Sequence, residues 1–201
     1  MSRRRNATED LIKRVLGEDY LSLKVDHYAL SEDVGRGGKC QVVARLRHEI
    51  DRSRTVEIKG EGVGFLDALY HGLMEHYARE FESLSTITFA GFSVQGQMET
   101  SEGSGADAEG LINLVVHNSE GREFIFEESG RSMLAAAIAV VVGAAEYFVN
   151  SERAFISVYN AMSDAKDRRR SDLVGTYTGQ LAELVNTTSY TRVIESIKAQ
   201  L

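Results

Sequence analysis

Along the chain, apolar and polar positions alternate in blocks that then give way to helical spacing. Residues 39–49 place Cys40, Val42, Ala44 and Leu46 on one face and polar residues on the other, the period of a half-buried strand. Residues 107–117 alternate in the same phase with Ala108, Gly110, Ile112, Leu114 and Val116, sixty-eight positions later. At that offset Val56 and Ile58 fall on Phe124 and Phe126, and Gly62-Val63-Gly64 on Gly130-Arg131-Ser132. Upstream, the strand-like stretch 20–30 falls on 88–98. Each half therefore reads strand, strand, strand, helix. The pattern predicts a duplication, with a first repeat over 20–82 and a second over 84–150.

The connections carry turn chemistry. Gly35–Gly38, Asp51–Arg54, Ser101–Gly105 and Asn118–Gly121 punctuate a chain with no proline. Strands joined by such short loops pair antiparallel, since parallel pairing needs a long crossover. The expected fold is α+β: a two-layer sandwich of two β-β-β-α units with pseudo-twofold symmetry and extra C-terminal helices.

The two repeat helices differ in polarity. Phe65–Phe81 has an apolar stripe through Leu66, Leu69, Leu73 and Tyr77, and a wet stripe through Asp67, His71, Glu75 and Arg79. The second, Met133–Ala145, has no charge at all, and its end is placed near Asn150. A helix apolar all round is buried all round, and a two-layer domain cannot hide it alone. The expectation is a homodimer interface, with cover by the C-terminal tail as the alternative. The flanks are an N-terminal helical segment over 1–19 (Thr8–Leu16, capped by Thr8 or Asn6) and a helical extension over 151–201. That extension reads as helices over 152–166, Asp172–Val185 and Ser189–Leu201, with Arg168-Arg169-Arg170 as a solvated turn.

Composition narrows the function classes. With 23 basic and 30 acidic residues the net charge is −7, which argues against nucleic acid as a partner. One cysteine, Cys40, excludes an internal disulfide framework and a zinc knuckle, and reads as a small core residue. No apolar run approaches the ~20 residues of a membrane span, and the basic start has no apolar segment behind it, so a cytoplasmic protein without membrane contact is expected.

No motif in the sequence carries catalysis. Gly60-Glu61-Gly62-Val63-Gly64-Phe65 lacks the third glycine of a dinucleotide fingerprint, and meandering strands precede it. Gly38-Lys39-Cys40 lacks the leading glycine and the hydroxyl of a phosphate loop. His71 and His76 lie on different faces of their helix, while Asp67, His71 and Glu75 share a face that reads as solvated. His27, His48 and His117 read as surface or edge residues. Neither an enzyme, a metal site nor a cofactor is expected. What remains is the glycine loop before each helix, where free N–H groups and the helix dipole suit a carboxylate, or where a plain turn suffices.

This pattern resembles the C-terminal regulatory domain of α-isopropylmalate synthase and citramalate synthase, which has two βββα units with G-x-G-P-V-D-A opening the first helix. The motif stands here as Gly62-Val63-Gly64-Phe65-Leu66-Asp67-Ala68, with Phe65 in the proline's place. The G-x-D-A of the second repeat stands as Gly105-Ala106-Asp107-Ala108, and its helix entry as Gly130-Arg131-Ser132. The resemblance covers about residues 20–150. It implies a non-catalytic domain that dimerises and binds a feedback amino acid, leucine or isoleucine, between subunits. Its effector-binding positions would be Gly62, Gly64, Asp67, Ala68, Asp107, Ala108, Gly130 and Ser132. The family's metal-binding barrel has no counterpart here, so a stand-alone relative serving a separate synthase subunit is expected. An apolar Met133–Ala136 follows Ser132 where the family is polar, which keeps open a structural or interaction module without ligand.

Overall fold

A computed structural model describes residues 3–97, 109–185, 187, 190 and 193–195. Helix α1 (Arg3–Leu16) leads into a meander of β1 (Leu23–Asp33), β2 (Lys39–His48) and β3 (Thr55–Val63), closed by α2 (Phe65–Tyr77). A second meander, β4 (Thr88–Gln97), β5 (Glu109–His117) and β6 (Glu123–Gly130), is closed by α3 (Met133–Asp167), and α4 (Ser171–Leu184) follows. The fold is α+β, with two three-stranded antiparallel sheets in the orders β1-β2-β3 and β4-β5-β6 packed on helices.

The halves share topology down to one irregularity. β1 bulges between Val25 and His27 against β2, and β4 bulges between Phe89 and Gly91 against β5. The repeat offset, however, is not uniform. Val25 and Phe89 stand 64 positions apart, their partners Leu46 and Val116 stand 70 apart, and Gly62 and Gly130 stand 68 apart. Strands 20–30 and 39–49 are therefore not matched at the single offset that the sequence pattern predicts. The β1–β2 connection spans residues 34–38 and the β4–β5 connection 98–108, while the β2–β3 hairpin is longer than its counterpart.

Each helix sits on its own sheet and also touches the first strand of the other. α2 lies on β3 and β2, and turns Tyr70 onto Phe89 of β4, with ring centroids 4.6 Å apart. α3 lies on β6 and β5, and runs along β1. The core is continuous across both halves: Leu46 and Ile58 from one, Leu114 and Phe126 from the other, with Leu69, Ile138 and Phe148 between them.

Two sequence expectations are corrected here. α3 does not end near Asn150; it continues to Asp167 as one helix of 35 residues, absorbing the segment read as a separate helix over 152–166. The polar stretch Asn150-Ser151-Glu152 is buried rather than a break, because each side chain bonds to backbone. α1 starts at Arg3, so Asn6 and Thr8 lie inside it and neither caps it. Within the chain most of the Met133–Ala145 segment is buried, while Met133 is 56% exposed and Leu134, Ala135, Ala139 and Gly143 are half-buried.

Once joined, α3 is long and apolar enough to cross a membrane, with an 18-residue window of mean hydropathy 1.8, contrary to the reading of short apolar runs. Of that window 67% is buried within the fold, as in the core helix of a soluble protein. The tail over 189–201 lies largely outside the described residues. Within it Tyr190 and Val193 are buried, and Tyr190 stacks on Phe155 at 4.2 Å.

Candidate functional site

The start of α2 gathers the first four positions of the expected effector site. Gly64 precedes the helix with φ of 85°, a left-handed conformation that a side chain would strain. Its N–H donates to the Gly38 carbonyl at 3.1 Å, tying the β1–β2 connection to the helix start. Asp67, in the first turn, reaches back so that Oδ2 accepts the Val63 N–H at 2.8 Å. This is the acidic half of a capping box, displaced by one residue. Gly62 brings the strand so close that a Cβ there would stand 2.5 Å from both the Ala68 nitrogen and Asp67 Oδ2. Ala68 is fully buried beneath it. Gly60 and Gly72 belong to the same close approach, each facing backbone of the other element.

The glycine motif therefore has a packing role: it lets α2 lie backbone to backbone on β3. Gly62 and Ala68 are partners in that contact, and Asp67 is a cap that keeps an exposed edge.

Two depressions flank Asp67. One, of about 540 Å³, opens over the β2–β3 side and is bordered by Lys39, Gln41, Gly62, Asp67 and His71, with Cys40 also on its wall. Gln41 is held by Glu61 at 2.7 Å, and His71 places Nδ1 3.0 Å from the Glu61 carbonyl. The other, of about 450 Å³, lies between α2 and β4 and is largely apolar, with Leu66, Tyr70, Phe89, Phe92 and Leu114 around it. Tyr70 is fixed there by donating to the Ile87 carbonyl at 3.2 Å. Sequence reasoning missed this second depression, since Phe92 and Tyr70 belong to different repeats.

The positions of the second repeat are arranged differently. Ser132 is the N-cap of α3, and its Oγ accepts the Ala135 N–H at 3.3 Å. The Tyr28 hydroxyl stands 3.5 Å away, so β1 closes over this helix start where β4 leaves a gap beside α2. A Cβ on Gly130 would make only ordinary contact with Ala136. Asp107 and Ala108 lie outside the described residues. The structure thus brings Gly62, Gly64, Asp67 and Ala68 together, and Gly130 and Ser132 together at the other helix start.

The histidine and carboxylate stripe on α2 forms i,i+4 pairs in solvent: Asp67 with His71 at 3.6 Å and Glu75 with Arg79 at 3.9 Å. Such exposed pairs contribute little. Among the described residues no group of three or more His, Cys, Asp or Glu side chains is placed to hold a metal ion. Arg168 and Arg170 pair with Asp164 and Asp172, as a solvated turn would. Cys40 is a fully buried free thiol on the inner face of β2.

The sequence matches no protein-family model, and no curated protein matches it.

Proposed function

We propose that the chain is a non-catalytic regulatory-type module that binds a small effector beside the start of α2 and acts on a separate protein. The observation that carries this reading is the position of Asp67 between two unlike depressions. One offers the Lys39 ammonium and the Gln41 amide, and the other an apolar wall of Leu66, Phe89 and Phe92. A branched-chain amino acid has the matching parts: a carboxylate for Lys39, an ammonium for Asp67 and an apolar side chain for the second depression. The resemblance to the leucine and isoleucine feedback domain of 2-isopropylmalate and citramalate synthases points the same way. It makes a synthase catalytic subunit in the cytoplasm the first partner to test.

Thermal unfolding across a panel of leucine, isoleucine, valine and citramalate tests this reading. A ligand at 100 times its dissociation constant stabilises the native state by ~2.7 kcal/mol, a readable rise in melting temperature. Phe92→Ala, at an exposed position, should blunt the response without unfolding the protein. A flat response across millimolar ligand overturns effector binding.

A second reading, a structural or interaction module, rests on exposed apolar side chains. Leu30, Val94 and Met133 are 39%, 46% and 56% exposed on strand ends and at a helix start, away from the core. Homodimerisation belongs to either reading, through these residues and the apolar segment that opens α3. Light scattering that returns a 22.2 kDa particle would refute it.

A further inference from the structure

At the end of β2 remote from Lys39, the β2–β3 connection over residues 49–54 is longer than the β5–β6 turn over 118–122. Backbone bonds fix its path: the Glu49 N–H donates to the Ser22 carbonyl at 2.9 Å, and the His48 N–H to the Arg54 carbonyl at 3.0 Å. Together with the start of β1 it borders a depression of about 160 Å³, lined by Lys24, Arg47, His48, Glu49 and Arg52. None of these residues borders the two depressions beside Asp67.

The charges around this depression do not cancel. Lys24 and Arg47 are direct partners across β1 and β2, and like charges directly opposite are destabilising. Among the described residues neither Lys24 nor Arg52 has an ion-pair partner. The nearby carboxylates are already engaged. Asp26 holds Arg47 at 3.2 Å, and Glu49 Oε2 accepts the Ser22 hydroxyl at 2.6 Å. Asp51 Oδ1 accepts the Ser53 N–H at 3.1 Å and its hydroxyl at 2.6 Å. Arg54 and Arg153 add positive charge near His48: together with burial, the larger cause, they lower its affinity for a proton, and Asp51 opposes them. In a chain of net charge −7 this corner is a local surplus of cations.

Size and donor set select the ligand. The depression is smaller than the ~300 Å³ at which pockets for drug-sized molecules begin. Guanidinium and ammonium groups suit a compact oxyanion, which they hold by charge-assisted hydrogen bonds. A long polyanion is disfavoured by the negative charge of the chain as a whole. We propose that Lys24, Arg47 and Arg52 bind a single phosphate group, either inorganic phosphate or the monoester of a small metabolite. An anion between Lys24 and Arg47 turns their mutual repulsion into two attractions.

The test is an NMR titration of the full chain with inorganic phosphate at fixed ionic strength, with chloride as the balancing salt. Saturable shifts should centre on the amides of Lys24, Arg47, His48 and Arg52, and the His48 midpoint should rise, because a bound anion favours the imidazolium. Lys24→Gln and Arg52→Gln, both at exposed positions, should each weaken binding by roughly tenfold, while Arg79→Gln on α2 leaves it unchanged. A parallel titration with glycerol phosphate separates the sources: tighter binding than inorganic phosphate supports the site as one for a monoester, and weaker binding supports it as one for the free ion. Shifts that fail to saturate, or that persist unchanged in both glutamine variants, overturn the proposal.

Discussion

Asn150 and Leu21 form a closed pair of hydrogen bonds: the Leu21 N–H donates to Oδ1 at 2.8 Å and Nδ2 donates to the Leu21 carbonyl at 2.7 Å. The asparagine thus acts as a short piece of strand for backbone that has not yet reached β2. Leu21 and Asn150 are 6% and 1% exposed, so water does not replace either bond. Removing the amide leaves a buried donor and a buried acceptor unpaired, at about 1–3 kcal/mol each. Asn150→Ala should therefore lose about 2–6 kcal/mol in urea unfolding. Asn150→Asp, which keeps one acceptor but cannot donate to the carbonyl, should also be destabilised near neutral pH. A loss under ~1 kcal/mol for Asn150→Ala would show that the pair is dispensable.

The contact of α2 with β3 depends on what Gly60 lacks. A Cβ at that position would run into the Ala68 carbonyl oxygen and crowd the Gly72 nitrogen, both backbone atoms that cannot rotate aside. Gly60→Ala must then push the helix off the sheet, and overpacking of this kind costs about 3 kcal/mol. Gly143, inside α3, is the control: a Cβ there meets nothing within 4 Å. Gly143→Ala should stabilise the protein by about 0.5–1 kcal/mol, because alanine loses less backbone freedom in a helix. Opposite shifts of the chemical denaturation midpoint for the two variants are the expected result; two losses of equal size would remove the close-approach argument.

The duplicated architecture was legible because strand phase survives insertions of even length. The offsets of 64, 70 and 68 between matched strands are all even, so inward positions stay inward even when aligned at 68 throughout. That same evenness conceals the true register, which shows only once Asp26 and Ala90 are recognised as the bulged positions. The run Asn150-Ser151-Glu152 misleads for a different reason. Periodicity treats polar residues as surface, yet these three are 2% exposed or less: Asn150 and Glu152 serve the backbone of distant segments, and Ser151 donates to the Tyr147 carbonyl one turn back. One signal did exist: no glycine or proline falls between Ala144 and Asp167, and Phe148, Phe155, Val158 and Tyr159 keep helical spacing across the polar stretch. At the candidate site the motif located the start of α2 correctly. Its glycines register a close approach, though, and the apolar depression needs Phe89 and Phe92 from the other repeat, which no local motif contains.

Tyr77 carries the one buried side-chain polar atom among the described residues that has no hydrogen-bond partner. Its ring is well used, packing edge-on against His76 at 4.6 Å, but the hydroxyl has lost water without gaining a bond. Burial pushes this phenol up to about 12, and the charges of Glu146 and Glu80 act in the same direction. Tyr77→Phe keeps the ring and removes the unsatisfied group, so stability near pH 7 should be unchanged or higher by up to ~1 kcal/mol. The sign at high pH follows from the raised phenol. The unfolded chain ionises near pH 10 while the fold still holds its proton, so wild-type stability falls between about pH 10 and 12, and the phenylalanine variant should lose less over that interval. Melting curves at pH 7 and pH 11 check both statements. A drop of more than about 4 °C at pH 7 would mean that the hydroxyl does contribute to stability.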